Sequence, residues 1–309
     1  MKRAYNSGRF AAANGALASP RLARALSNAS RGLGRLNRVI SFVAWWAEFV
    51  PRDDDIYIVS YPRSGTTLMQ MLLYQLTTNG SLDFRHISEV SPYLERSILR
   101  GRNLNALRSP RIIKTHFPAD KLPSLPGRFI YVARQGPDVA VSNYHFSKSH
   151  RQYRGTLAQF LEGFLSSPTG LEFWLAHIAS WRRRLQQGNG YLVRYEDLLA
   201  DFQQTLSGIA RYCSVQVTPE QRERIEERCR FTFMKEHEEK VDFATEILWE
   251  HGLTLGSFIR EGKAGSGSEN LSEAQLAAFE EAVRYHRGRD LTERAWINGQ
   301  TALGPSVLN

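Results

Sequence analysis

Ile56-Tyr-Ile-Val-Ser-Tyr-Pro-Arg-Ser-Gly-Thr-Thr-Leu-Met-Gln-Met-Leu-Leu-Tyr-Gln75 is the stretch whose reading decides the fold. Ile56 to Ser60 is a short run of β-branched and aromatic residues, the pattern of a buried strand. From Thr66 onward Leu68, Leu72, Leu73 and Leu76 fall at helical spacing. Between them lies Tyr61-Pro62-Arg63-Ser64-Gly65-Thr66-Thr67, a turn that must feed straight into the helix. Pro62 fixes one φ angle, and Gly65 lets backbone approach a ligand with no Cβ in the way. A strand, a tight turn and a helix N-terminus leave several N–H groups unpaired and aimed at one point. With the hydroxyls of Ser64, Thr66 and Thr67 beside them, that point suits a phosphate.

Two readings compete for this turn. It can be an ordinary strand-to-helix connection, or it can be an anion site. Its match to the loop of nucleoside triphosphatases is incomplete, because position 60 is Ser and no Lys follows Gly65.

The rest of the chain frames that site. With 309 residues, 42% of them hydrophobic, it can bury one large core or two modest ones. Cys213 and Cys229 give neither a disulfide framework nor a metal-ligand spacing, which fits a reducing, cytoplasmic compartment. The net charge of +9 invites a nucleic-acid partner, but its distribution argues against one. Residues 1–50 hold eight basic side chains against Glu48 alone, and the remainder holds 32 basic to 30 acidic. The basicity therefore belongs to an extension. Residues 1–38 are rich in Ala, Ser, Asn and Gly and are expected to be flexible. Their composition also admits an organelle-targeting segment. The apolar run Val39–Val50 is too short to span a bilayer. It reads as a helix packed ahead of the first strand, or as a peripheral membrane contact through Trp45 and Trp46.

Strands are expected near residues 56, 112, 130 and 192. Helices are expected after 66, from Pro137, over 156–165 and 171–185, from Glu196 through Tyr212, over 219–230 and from Ser272 to about Arg287. Residues 257–268 read as a flexible Gly-rich loop. The alternation implies an α/β fold, a single domain with a central parallel sheet flanked by helices. Its span is residues 51–295, followed by a tail, 296–309. Polar motifs should then gather beyond the carboxyl ends of the strands.

Three further motifs carry the chemistry. Lys114-Thr115-His116-Phe117-Pro118 closes one strand, Arg134 closes the next with Ser142 eight residues on, and Arg260-Glu261-Gly262-Lys263-Ala264-Gly265 lies near the end. Taken singly, His116 can be a structural histidine and Arg134 a partner of Asp138. Together with the turn they resemble the sulfotransferases that use 3′-phosphoadenosine 5′-phosphosulfate (PAPS), over about Ile56 to Arg287. Tyr-Pro-Arg-Ser-Gly-Thr-Thr is similar to that family's phosphosulfate-binding loop, with Arg63 where Lys is usual and Leu68 where Trp is frequent.

The resemblance implies His116 as general base, with Lys114 and Arg63 neutralising charge on the transferring group. It implies nucleotide contacts from Arg63, Ser64, Gly65, Thr66, Thr67 and Leu68. Arg134, Ser142, Arg260, Glu261 and Gly262 would hold the 3′-phosphate. Tyr195, in Tyr195-Glu196-Asp197, and Phe231 would meet the adenine. Phe173 to Trp181, similar to a further family segment, reads chiefly as core helix. Glu261 replaces a Lys of the family pattern and Gly267 a Trp, and the usual carboxyl-terminal dimer motif is not recognisable.

The expectation is an enzyme moving the sulfuryl group of PAPS to a hydroxyl or amine of a small acceptor, with no metal. Tyr93, Phe117, Tyr144, Phe146 and Trp249 lean toward an apolar or aromatic acceptor, walled by residues 77–110, 143–156 and 237–256. Two alternatives stay open. A small-molecule kinase would need Mg²⁺, and an adaptor would bind nucleotide without turnover.

Overall fold

The computed structural model describes residues 43–78, 80, 82–122, 124–242 and 259–287. The extension through residue 42, the acceptor-wall residues 243–258 with Trp249, and the tail 296–309 lie outside the described residues. Four strands, β1 (Ile56–Ser60), β2 (Ile112–Thr115), β3 (Arg128–Ala133) and β4 (Tyr191–Arg194), form one parallel sheet in the order β2-β1-β3-β4. All four lie where the sequence places them. Every residue of β1 is buried, as expected for a parallel strand covered on both faces.

Alternation of side chains divides the core. Ile130 and Val132 of β3 face the helix α1 (Thr66–Thr77), whose residues from Met69 to Leu76 are all buried. Each fully buried Leu or Met there contributes about 1.5–3 kcal/mol. Phe129 and Tyr131 face the opposite way and stack near Trp181, with centroids 5.6 and 5.9 Å apart. Trp181 lies on the long helix Leu171–Gln186 described below.

One further helix precedes β2, and the others follow β3 and β4. They are α2 (Leu94–Leu99), α3 (Gly136–His150), α4 (Leu157–Ser166) and α5 (Leu171–Gln186), then α6 (Tyr195–Ala200), α7 (Phe202–Tyr212), α8 (Pro219–Cys229) and α9 (Phe231–Glu236). The last two are α10 (Ser266–Asn270) and α11 (Glu273–Arg287). Two expectations are corrected. The helix read from Glu196 through Tyr212 breaks at Asp201, whose carboxylate turns from the helix to cap α7, accepting from Gln204 N–H at 2.9 Å. The segment read as a Gly-rich loop contains α10, because Asp138 of α3 holds its amino end.

The sheet's amino-terminal edge is closed by a buried pair. Arg111 Nε and Nη2 donate to Asp55 Oδ1 and Oδ2, each at 2.6 Å, and both side chains are fully enclosed. Residues 43–50 and 96–105 make a separate small unit. In it a short helix at 43–48 stacks Trp45 on Phe49 at 4.8 Å, and Trp45 Nε1 donates to the Arg102 carbonyl at 2.8 Å.

Parallel strands deliver their carboxyl ends to one edge. The chain leaves β1 for β2 on one side and then crosses to β3 on the other, so the strand order reverses direction beside β1, the position where such sheets bind ligands. Ser60, Thr115-His116, Ala133-Arg134 and Arg194-Tyr195 all arrive there.

Candidate active site

The turn after β1 has the shape its residues require. Gly65 caps α1 at φ 96°, in the left-handed region, and a Cβ there would lie 2.4 Å from the Tyr195 ring. Only glycine meets both conditions. Arg63 also has positive φ, 70°, a strained state for a long side chain and one typical of functional turns. Ser64 and Thr66 are buried, and Thr66 Oγ1 lies 2.5 Å from Ser60 Oγ. Thr67 is partly buried, and Leu68 packs against the core cluster.

His116 stands at the end of β2, against the start of that turn. Its Nδ1 lies 2.7 Å from the Ser60 carbonyl oxygen. A carbonyl can only accept, so the ring proton is held at Nδ1 and the lone pair belongs to Nε2. Burial, then the neighbouring Lys114, pushes the imidazole down to about 3, so it is neutral at physiological pH. Tyr93 packs edge-on against His116 at 5.2 Å, and Lys114 Nζ sits 5.1 Å from the same Tyr93 ring. Behind it, His177 of α5 is fully buried, 3.1 Å from the Tyr131 hydroxyl through Nδ1, and its Nε2 makes no hydrogen bond.

On the far side of the turn, cations gather. Arg63 Nε donates to Ser142 Oγ at 3.2 Å, and its guanidinium lies 4.9 Å from the Phe146 ring. Arg134 Nη1 donates to the Arg63 carbonyl at 3.1 Å, and Nη2 to the Lys263 carbonyl at 3.1 Å. Its guanidinium rests over the Tyr195 ring at 4.5 Å, and its enclosed Nε makes no hydrogen bond. Burial above all, with Arg134 and Arg260 adding to it, brings Arg63 down to about 10. Arg260 pairs with Glu261, and Lys263 pairs with Glu261 and Glu269. Phe231 is exposed and close to Gly262, where a Cβ would meet its ring at 2.3 Å. The structure thus brings the turn, Lys114-Thr115-His116, Arg134 with Ser142, and 260–267 to one edge.

Two participants take roles that no motif signals. Asp138 accepts the Gly265 N–H at 2.9 Å and the Gly267 N–H at 2.6 Å, clasping α10 to α3. A Cβ at Gly267 would lie 2.5 Å from Pro137 Cβ, so the close seat on α3 excludes the Trp of the family pattern. Glu95 of α2 accepts the His116 N–H at 2.7 Å. Among the described residues no group of three His, Cys, Asp or Glu side chains could hold a metal ion. No helix among them is long and apolar enough to cross a membrane.

Comparison with known proteins agrees with this geometry. A family model described as "Sulfotransferase domain" matches residues 53–293. Sulfotransferase 1 family member D1 of Mus musculus is 31% identical over 258 residues, covering 78% of this chain and 87% of its own. Sulfotransferase 2B1 of Mus musculus is 30% identical, covering 75% and 71%. A solved retinol dehydratase, in complex with androsterone and the inactive cofactor PAP, superposes with a TM-score of 0.66 at 22% identity, covering 79% of this chain and 84% of its own.

Proposed function

The chain belongs to the sulfotransferase domain family, and we propose that it transfers the sulfuryl group of PAPS to a hydroxyl, with His116 as general base. The observation that carries the assignment of roles is the His116 ring. Its proton is fixed on the Ser60 carbonyl, and its Nε2 lone pair is left to accept a proton beside the anion-binding turn.

The residues fit the nucleotide. The N-terminus of α1, with Ser64, Gly65, Thr66 and Thr67, suits the 5′-phosphosulfate. Arg134, whose enclosed Nε lacks a partner, suits the 3′-phosphate together with Ser142, Arg260 and the Gly262 backbone. Phe231, exposed beside Gly262, is placed to stack on the base, while Tyr195 braces the turn through Gly65. Leu68 serves the core beneath the turn, and Glu261 contributes its backbone, since its carboxylate is held by Arg260.

PAPS supplies a sulfuryl group whose bond to the 5′-phosphate oxygen breaks as the acceptor oxygen's bond to sulfur forms. Nε2 of His116 takes the acceptor proton. Arg63 and Lys114 oppose the charge that develops on the transferring and leaving oxygens. Tyr93 beside His116 and Phe146 beside Arg63 put aromatic rings next to the reacting groups. An apolar or aromatic alcohol is therefore the proposed acceptor, the class bound by the retinol dehydratase. Both cysteines are buried thiols, consistent with a cytoplasmic setting.

The test is incubation with PAPS and a panel of hydroxyl compounds, with sulfated product read by mass spectrometry. His116→Ala should lose about 10²–10⁴ of turnover while adenosine 3′,5′-bisphosphate still raises its melting temperature. Phosphorylated product from ATP and Mg²⁺, or an intact rate in His116→Ala, would overturn the reading.

A further inference from the structure

Residues 91–95 carry none of the motifs, yet they are built into the wall behind His116. Gln70 Nε2 of α1 donates to the Ser91 carbonyl at 2.6 Å, and the Lys114 N–H donates to the Pro92 carbonyl at 2.9 Å. The segment therefore runs parallel to β2, pairing Tyr93 with Lys114, and delivers Glu95 to the strand end. Glu95 Oε1 accepts two hydrogen bonds, from the His116 N–H at 2.7 Å and from Thr115 Oγ1 at 3.0 Å. Thr115 Oγ1 accepts in turn from the Phe117 N–H at 3.1 Å. The other oxygen, Oε2, is enclosed and has no partner.

We propose that Glu95 is a positioning residue for sulfuryl transfer. As a carboxylate it fixes the backbone that carries His116, and its charge favours the imidazolium formed when Nε2 takes the acceptor proton. The proposal rests on the sulfotransferase reading above.

A neutral acid would weaken both effects, since its carbonyl accepts less strongly and its O–H has no acceptor at Oε2. The balance between the two forms is close. Burial pushes the carboxyl up to about 7, against the opposing pull of the His116 N–H, the residue's own N–H, the Thr115 hydroxyl and Lys114. The titratable and charged groups around it are Lys114 and His116 on the strand end. Arg63 of the turn and His177 of α5 act on the imidazole from other sides. His116 itself stays neutral down to about 3, so it does not titrate in the same range. Turnover at saturating nucleotide should therefore rise with pH through about 7 as Glu95 ionises.

The experiment is the kcat–pH profile of the full chain with PAPS and an acceptor identified from the panel. Glu95→Gln keeps an oxygen acceptor for the two donors but removes the charge. It should lose about 10–100-fold in kcat, the scale seen when a hydrogen-bonding partner behind an active histidine is removed. Its limb near pH 7 should disappear, while KM for PAPS stays within a few-fold. Wild-type kcat and an unchanged limb in Glu95→Gln would overturn the proposal. If Glu95→Gln melts below the assay temperature, Glu95→Asp decides. A displaced limb supports the proposal, and a limb at the wild-type midpoint overturns it. Failure of the sulfotransferase reading is distinguishable, because the wild-type chain would then give no sulfated product at all.

Discussion

The two ends of the sheet handle charge in opposite ways. At the amino-terminal end, Arg111 and Asp55 meet fork to fork, and the same carboxylate accepts the Tyr57 hydroxyl at 3.1 Å and the Arg52 N–H at 2.9 Å. Every donor there faces an acceptor, and the cost of burying two charges is offset within the pair. At the carboxyl end, Arg63, Arg134 and Arg260 gather, and burial, then Arg134, brings Arg63 down to about 10. Arg134 Nε has no acceptor, although its Nη2 lies 3.6 Å from Asp138 Oδ2, a carboxylate that also accepts two backbone N–H groups. Charge matched within the fold serves stability. Positive charge gathered in excess beside a helix N-terminus is suited to an anion.

Breaking the matched end should have the largest effect. Asp55→Ala leaves the Arg111 guanidinium fully enclosed without its counter-ion, which costs about 3–5 kcal/mol of stability. Chemical denaturation should show the midpoint falling, while turnover per folded molecule at low temperature stays near wild type. Replacing both partners, Asp55→Leu with Arg111→Met, should restore most of that stability, because a buried pair and a packed apolar pair are close in energy. A single variant as stable as wild type would mean that water reaches this pair and that the two ends do not differ as argued.

How much of this was legible in the sequence depended on whether the signal was contiguous. The strands near 56, 112, 130 and 192 announce themselves because a doubly covered parallel strand is a continuous apolar run. Arg63 to Thr67 and Lys114 to His116 are read together because each is a short string at a strand end. Asp138 reads from the sequence as a partner of Arg134, a pair present at 3.6 Å, but nothing local shows that it also receives N–H groups 127 and 129 residues away. Glu95 was hidden for the same reason, being brought to His116 by backbone pairing of Pro92 with Lys114. The Asp55–Arg111 pair joins residues 56 apart through strand register alone. Tyr195, which the resemblance places toward the adenine, also packs its ring on Gly65, a contact no motif signals.

Probing the unmatched end should give an intermediate effect with the opposite signature. Arg134→Ala removes the donor without an acceptor and should weaken adenosine 3′,5′-bisphosphate binding by about 1.5–3 kcal/mol, the scale of a charged hydrogen bond. Calorimetry should find a much smaller loss for adenosine 5′-monophosphate, which lacks the 3′-phosphate. The melting temperature without nucleotide should move less than in Asp55→Ala, because Arg134 also relieves crowding on Arg63 when it is removed. Equal losses for both nucleotides would place Arg134 away from the 3′-phosphate.

The smallest expected effect tests whether the unmatched end is already partly matched. Glu261 stands where the family pattern has Lys, and its carboxylate pairs with Arg260 on one side and Lys263 on the other. An incoming 3′-phosphate must share Arg260 with that carboxylate or displace it. The side chains are about one-third exposed, at 27% and 36%, so solvent screens the pair and its worth is modest, about 0.2–1 kcal/mol. Glu261→Gln should accordingly tighten adenosine 3′,5′-bisphosphate by up to about fivefold. The gain should shrink as salt is raised from about 0.01 to 1 M, where the screening length falls from roughly 30 to 3 Å. Glu269→Gln is the control, since it releases Lys263 but leaves the Arg260–Glu261 pair intact. If Glu261→Gln leaves affinity unchanged at low salt while Arg260→Ala weakens it, the carboxylate does not compete with the phosphate. If Glu261→Gln weakens binding, Glu261 orients Arg260 for the nucleotide, and the contrast between the two ends is softer than drawn, since the carboxyl end too would use a matched pair to hold a cation in place.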